Sequence, residues 1–373
     1  VTGPYLARVA NEIKGSIGHV HTVTIDPVGA PSFDIVAEDV EVTFAEDWSP
    51  HVQAKITGPV ASVLAELDAM DARRNCRVQI SAGYLFEDGT LDVKPLADLG
   101  LRWRGIRRPS NETGLTASSD EARAQDRRRA EATGLPVFTG LNAAVQWFAD
   151  YAMYPETATV VSDFTAATGA VSVAGMEAAV GTTMWDPMED AAARTGKWLY
   201  CTADRIWRIR ARPEVGGMPK HTLTVGKWGT IFGSESTLDR TGWANQSIVE
   251  YAWTDAVGAS QKVYGRAKVT AGPYSVDNVG YCTDHKVYNM PATQAQADAT
   301  AATRVRSLVT RGRGLSLEAH AAYWLRPGDT ITVQLPTGPA EDHIIKSIKF
   351  RPVAGSMAIE TRQPLDVTIT SGE

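Results

Sequence analysis

Apolar and polar residues alternate with a period of two along much of the N-terminal third of the chain. Residues 19–25 alternate, and Val40, Val42 and Phe44 do so against Glu41, Thr43 and Ala45. That period marks a strand with one buried face. Trp48-Ser49-Pro50 breaks the run, and Val52, Ala54 and Ile56 resume it. A hairpin with Trp and Pro in its turn is predicted. Residues 60–71 carry a brief helical rhythm in Val60, Val63, Leu64 and Leu67. Residues 76–86 and 99–106 are predicted strands, with a turn at Glu87-Asp88-Gly89-Thr90. Short strands with regular turn signals suggest a barrel or sandwich.

The pattern changes after residue 118. Residues 119–132 are crowded with charge and read as a solvated helix face or a mobile loop. A basic contact patch of Arg123, Arg127, Arg128 and Arg129 is the alternative, weakened by Asp120, Glu121, Asp126 and Glu131. Residues 141–151 form a better helix, with Leu141, Ala144, Val145 and Phe148 on one stripe. Residues 157–183 are poor in charge and read as irregular strands or an extended loop. Trp185, Met188 and Ala192 then fall on one helical stripe, with Asp186, Glu189 and Asp190 suited to the positive end of the dipole. Gly196 supplies the stop, and strands at 197–202 and 206–210 follow around Ala203-Asp204-Arg205. A helix laid on a hairpin is a packing device. Strands are predicted again at 247–252 and 261–269, and a helix at 293–311 aligns Ala301, Val305 and Leu308 before Gly312. Alternation returns from Leu315 to Tyr323, and Pro327-Gly328-Asp329 makes a turn. Strands around Ile331, Ile344 and Met357 close the chain. The predicted class is mainly β with an α+β insertion: a first β domain over 1–118, an α/β middle region over 119–232, and a second β domain over 233–373 with one inserted helix.

Composition narrows the function more than the fold. At 373 residues, 43% hydrophobic and 21% charged, the chain is a globular protein of two or three domains. A net charge of −6 argues against a dedicated nucleic-acid binder. Cys76, Cys201 and Cys282 are scattered, which argues against a disulfide framework and a zinc site and favours a reducing compartment at synthesis. No signal-like start and no apolar run of the ~18 residues a span needs predict neither export nor a membrane anchor. Phosphate-loop, dinucleotide, zincin and nucleophile-elbow motifs are absent, so no cofactor is expected. His19 and His21 share a strand face, but an exposed histidine pair is a simpler reading than a metal site. Asp186, Glu189 and Asp190 could supply a glycosidase acid and base, although helix N-terminal charges explain them. The ten tryptophans are spread singly, as core packing would have them.

Several stretches together carry a family likeness. They are Asp47-Trp48-Ser49-Pro50-His51-Val52-Gln53-Ala54, residues 101–126, residues 185–213, residues 245–250, residues 297–308, and Leu325-Arg326-Pro327-Gly328-Asp329-Thr330-Ile331-Thr332-Val333. In this order they resemble the minor tail proteins of long-tailed phages, particularly those of actinobacteria. They are also similar to the baseplate hub of contractile tails. The resemblance implies two tail-tube-like antiparallel β-barrel domains flanking the helix-and-hairpin region, and three copies closing a ring. It implies a non-enzymatic virion protein of the tail tip, assembled in the bacterial cytoplasm. Its partners would be the tail tube or distal tail protein and other minor tail or fibre proteins, with DNA passing unbound. Trp48, Pro50, Trp185, Met188, Gly196, Pro327, Gly328 and Asp329 are the expected packing residues. A carbohydrate-active enzyme or lectin-like receptor-binding protein is the alternative. A tube or distal-tail subunit would form six-copy rings and would need only one barrel per chain.

Overall fold

The computed structural model describes residues 5, 9, 17–59, 67–109, 112–130, 138–164, 180–213, 216–226, 229–238, 240–255, 258–289, 291–310, 313–336, 339–364 and 367–372. The chain begins with β1 (Gly18–Asp26), β2 (Phe33–Ile35), β3 (Asp39–Ala45), β4 (Val52–Pro59), β5 (Arg77–Leu85), β6 (Leu91–Arg107) and β7 (Glu112–Ser118). There follow α1 (Glu121–Asp126), α2 (Leu141–Met153), β8 (Thr159–Ser162), α3 (Trp185–Arg194), β9 (Trp198–Cys201) and β10 (Ile206–Arg210). The last part holds β11 (His221–Thr224), β12 (Ile231–Leu238), β13 (Gln246–Thr254), β14 (Ser260–Ala271), α4 (Val276–Val279), β15 (Thr283–Tyr288) and α5 (Gln294–Val309). It ends with β16 (Arg313–His320), β17 (Thr330–Gln334), β18 (Glu341–Arg351), β19 (Ser356–Arg362) and β20 (Thr368–Ser371).

The fold is mainly antiparallel β. Strands from both ends of the chain share one sheet in the order β12-β16-β19-β18-β3-β4-β7-β6-β5-β1-β2, with β17 on β18 and β11 on β17. The two ends join at β3–β18, where Phe350 faces Val42 and Ile348 faces Phe44. Period-two alternation puts Val40, Val42, Phe44, Val52, Ala54 and Ile56 on one buried face. That face packs into a single core with Leu317, Ile348, Phe350 and Ile359.

Two smaller units have cores of their own. The sheet β8-β10-β9 packs with α2 and α3 around Phe148, Met188 and the fully buried Trp207. The sheet β15-β13-β14-β20 carries α5 on one face, burying Val249, Tyr251, Ala301 and Val305. Gly265 permits the close approach: a Cβ there would sit 2.0 Å from the Ala297 carbonyl oxygen. Thr293 starts α5 with a reciprocal capping box to Gln296.

Two departures from expectation have physical causes. The strand predicted at 99–106 begins at Leu91, its first half masked in the sequence by Pro95. Proline cannot donate to a ladder, and it sits at a register shift opposite Ser81. Residues 119–125 are not a solvated face, although the exposed residues 126–128 keep that character, and 131–132 lie outside the described residues. Ser119, Asp120, Glu121 and Arg129 are buried, the two acidic residues among partners from distant segments. The helical rhythm at 60–66 and the terminator Gly312 lie outside the described residues.

Candidate functional site

The large sheet and the middle unit meet around Asp120 and Glu121. Asp120 precedes α1, and its carboxylate is 1% exposed. It accepts from Arg77 of β5 at 2.6 Å and from Arg205 of the β9–β10 turn at 2.8 Å. Arg77 also reaches Asp98 at 2.9 Å, while Arg205 pairs with Glu156, which Arg123 holds at 2.9 Å. The result is a continuous run, Asp98–Arg77–Asp120–Arg205–Glu156–Arg123, with three charges of each sign. It ties the large sheet to the middle unit.

Glu121 is fully buried and works through backbone. Its carboxylate accepts from the Cys201 N–H at 2.8 Å, the Ser119 hydroxyl at 3.1 Å and the His51 N–H. Burial pushes its pKa up to about 8, against the pull of those donors. His51 donates from Nδ1 to the Ala45 carbonyl at 2.6 Å, and burial lowers its pKa to about 4, so it is neutral. Its ring packs on Trp198 and Tyr200.

The turn between β3 and β4 is thus held from behind. Arg212 reaches Asp47 at 2.8 Å, and Gln125 donates to the Ser49 carbonyl and hydroxyl. Pro50 follows a cis peptide bond. Glu46, buried, takes Arg362 through both oxygens at 3.0 and 3.1 Å. Trp48, on the outer side, is 51% exposed and lines a cleft of about 640 Å³. Core packing was expected of it. The turn instead clamps its neighbours and leaves the indole outside.

The Pro327-Gly328-Asp329 turn lies behind the same junction. Pro327 is buried, and Gly328 takes φ of +87°, where a Cβ would lie 2.9 Å from both Arg210 Nη2 and Pro213 Cγ. Asp329 accepts from the Arg326 N–H at 2.9 Å and from Lys220 at 2.6 Å. The Arg326 guanidinium lies 4.6 Å from the Phe44 ring centroid, and burial lowers its pKa.

This architecture matches solved structures over almost its whole length. A tail protein from Neisseria meningitidis MC58 superposes with a TM-score of 0.60 at 13% identity, covering 92% of this chain and 96% of that one. The 43 kDa tail protein of prophage MuSo2 from Shewanella oneidensis gives 0.58 at 10% identity, over 92% and 98%. Prophage tail protein gp18 from Listeria monocytogenes EGD-e gives 0.52 at 10% identity, over 91% and 94%. The chain has the fold of phage tail proteins. No family model matches the sequence, and no curated protein matches it.

Within this tail-protein fold the other predicted residues are placed as follows. Trp185 and Met188 are buried on α3, with Trp185 donating to Glu189 at 3.0 Å, and Gly196 takes φ of +67° just beyond the helix. Asp186, Glu189 and Asp190 line neither of the two clefts beside Trp48. His19 and His21 are not an exposed pair. His19 packs 5.5 Å from the Tyr84 ring and meets the Tyr323 hydroxyl at 3.1 Å, because β1 faces the aromatic core there. The arginines of 119–132 do not make an open patch: Arg123 is engaged with Glu156, Arg127 covers Tyr151, and Arg128 bonds the Gly181 carbonyl. Trp103, also expected in the core, is 55% exposed and lies flat on Gly105 and Gly114. Trp228 is outside the described residues. Among the described residues, no group of three or more His, Cys, Asp or Glu could hold a metal, and no helix is long and apolar enough to cross a membrane.

The sequence reading missed Asp120 and Glu121. The one available signal was acidic residues directly after a strand of buried alternation, a poor place for unpaired charge.

Proposed function

We propose that this chain is a structural, non-catalytic protein of a phage tail, specifically the hub that joins the tail tube to the tip or fibres. Three copies close a ring through which DNA passes. The observation carrying this reading is the end-to-end match, which spans 92% of this chain and 96% and 98% of two tail proteins. A match of both full lengths argues for a shared assembly role more than a shared small domain would.

Residues 1–118 and 233–373 are read as two tube-like β domains that join at β3–β18 over a shared core, and 119–232 as the α/β portion inserted between them in sequence. On this reading six β domains surround the axis of a trimer. The edges at β2 and β12 have one neighbour each among the described residues, and such edges are natural sites for pairing with adjacent copies or with tube and fibre proteins. The net charge of −6 suits a channel wall that DNA passes without sticking. The protein would be assembled in the bacterial cytoplasm and reside at the virion's tail tip, with actinobacterial long-tailed phages as its source. Light scattering of the purified chain with its tube-side neighbour tests this. A mass of three copies supports the hub, and six copies would make the chain a tube-type subunit instead.

A further inference from the structure

The cleft beside Trp48 lies between the turn at Glu46–Trp48, strands β16 and β19, and the exposed flank of α5. A second cleft of about 570 Å³ adjoins it on the β18 side. Asp47, Trp48, Ser316, Lys346 and Glu360 line both, so the two form one trough with Trp48 between its halves.

Three features define what the trough can hold. First, Trp48 is half exposed on a turn fixed by Arg212, Gln125 and the His51 backbone. With the turn backbone already ordered, a ligand stacking on the indole has only that side chain left to fix. Second, the opposing wall is rich in hydroxyls: Thr303, Ser307 and Thr310 at i, i+4 and i+7 of α5 and its cap, with Thr237 and Ser316 from the strands. Thr303 and Thr310 donate to carbonyls of their own helix, which leaves their oxygens as acceptors. Third, the charges in the first cleft nearly balance, with Glu46, Asp47 and Glu360 against Arg212, Arg306, Lys346 and Arg362. Glu46 and Asp47 are already taken by Arg362 and Arg212. An ionic ligand directed at those four groups would have to break those pairs. A neutral ligand with many hydroxyls would exchange hydrogen bonds with them and lay its C–H face on the indole.

We propose that this trough binds a neutral oligosaccharide. Each half falls in the size range of small-ligand sites, and their continuity suits a short chain of sugar rings rather than one. Glu46 and Asp47 are committed to arginines and Glu360 accepts from the Ser347 hydroxyl, so the role proposed is binding rather than cleavage. The proposal stands independently of the tail role, since it concerns the chain's own surface.

The test uses the full chain in saturation-transfer NMR and calorimetry. The probes are maltotriose, cellotriose, mannotriose, galactotriose, arabinotriose and triacetylchitotriose, with a heparin tetrasaccharide as charged comparator. At least one neutral trisaccharide is expected to bind saturably and with little salt dependence. Trp48→Ala should weaken it at least about tenfold, or 1.4 kcal/mol, and Ser307→Trp, which fills the trough, should abolish it. Trp103→Ala removes the other exposed indole described above and should change nothing. Both Trp48 and Ser307 lie at the surface, so melting curves will confirm folded variants. Failure of all six probes at about 10 mM would overturn the proposal. So would binding that survives both trough variants, or binding of heparin alone. If Trp48→Ala instead left every probe unbound and altered only the oligomeric mass, the trough would be a protein–protein contact and the proposal would fall.

Discussion

Replacing Asp120 by Asn removes one charge from the centre of a run of six and leaves the side-chain size almost unchanged. Its carboxylate is 1% exposed, and its two partners, Arg77 and Arg205, have side chains 10% and 29% exposed. Each partner keeps a second carboxylate, Asp98 and Glu156. The variant therefore does not strand a guanidinium entirely. Removing one member of a buried pair costs about 3–5 kcal/mol. The surviving partners place this case at the lower end, about 3 kcal/mol. Unfolding entropy near 2.1 cal/mol/K per residue gives about 0.8 kcal/mol/K for a chain of this length, so Tm should fall by roughly 4 °C. Urea unfolding followed by tryptophan fluorescence reads the same loss as a lower midpoint. Because the pairs are buried, the loss should persist between low and high salt, since screening acts mainly on exposed charges. A loss under 1 kcal/mol, or one that vanishes in high salt, would refute the view that this run joins the sheet to the middle unit.

Three further outcomes follow from the same structure. Glu121 has its pKa raised by burial to about 8, so its stabilisation is complete below the ordinary glutamate range and is lost as pH rises through 8. Thermal melts should show the wild type's advantage over Glu121→Gln shrinking between pH 5 and 9; a constant gap would contradict the assignment. His51 is depressed to about 4, again by burial, so its contribution is present above its ordinary value and is lost as pH falls from 6.5 towards 4. Melts of the wild type against His51→Gln should converge over that acid window, and parallel curves would count against a buried neutral imidazole. Gly265→Ala would put a methyl 2.0 Å from the Ala297 carbonyl oxygen and force α5 off its sheet, costing about 1–3 kcal/mol as overpacking does. Faster proteolysis within 294–309 would report it, and unchanged digestion would mean that the helix shifts freely.

Much of the fold was legible because it is written in local periodicity. Period two located β1, β3 and β4, and a stripe of Trp185, Met188 and Ala192 located the buried face of α3. The capping residue Thr293 and the Pro-Gly-Asp turn are likewise decided within a few positions. What escaped is non-local. The β3–β18 pairing joins residues some three hundred apart, and nothing in either strand names its partner. Asp120 and Glu121 read as solvent-facing because the groups that neutralise or cap them, Arg77, Arg205, His51 and Cys201, come from three distant segments. Pro95 hid the first half of β6 by breaking the ladder rule at a bulge. Trp48 and Trp103 show the opposite failure, since large apolar residues were assigned to the core by type. For Trp103 a hint was present in Gly105 and Gly114, which leave flat backbone for the indole: a Cβ on Gly105 would sit 2.2 Å from it.

The central claim is that the chain is a ring-forming tail hub, and electron cryo-microscopy of the assembled protein tests it most directly. The account predicts a three-copy ring with an axial channel wide enough for duplex DNA and neighbouring copies meeting at sheet edges. A closed particle without a channel, or a stable monomer that hydrolyses a bacterial glycan, would contradict it.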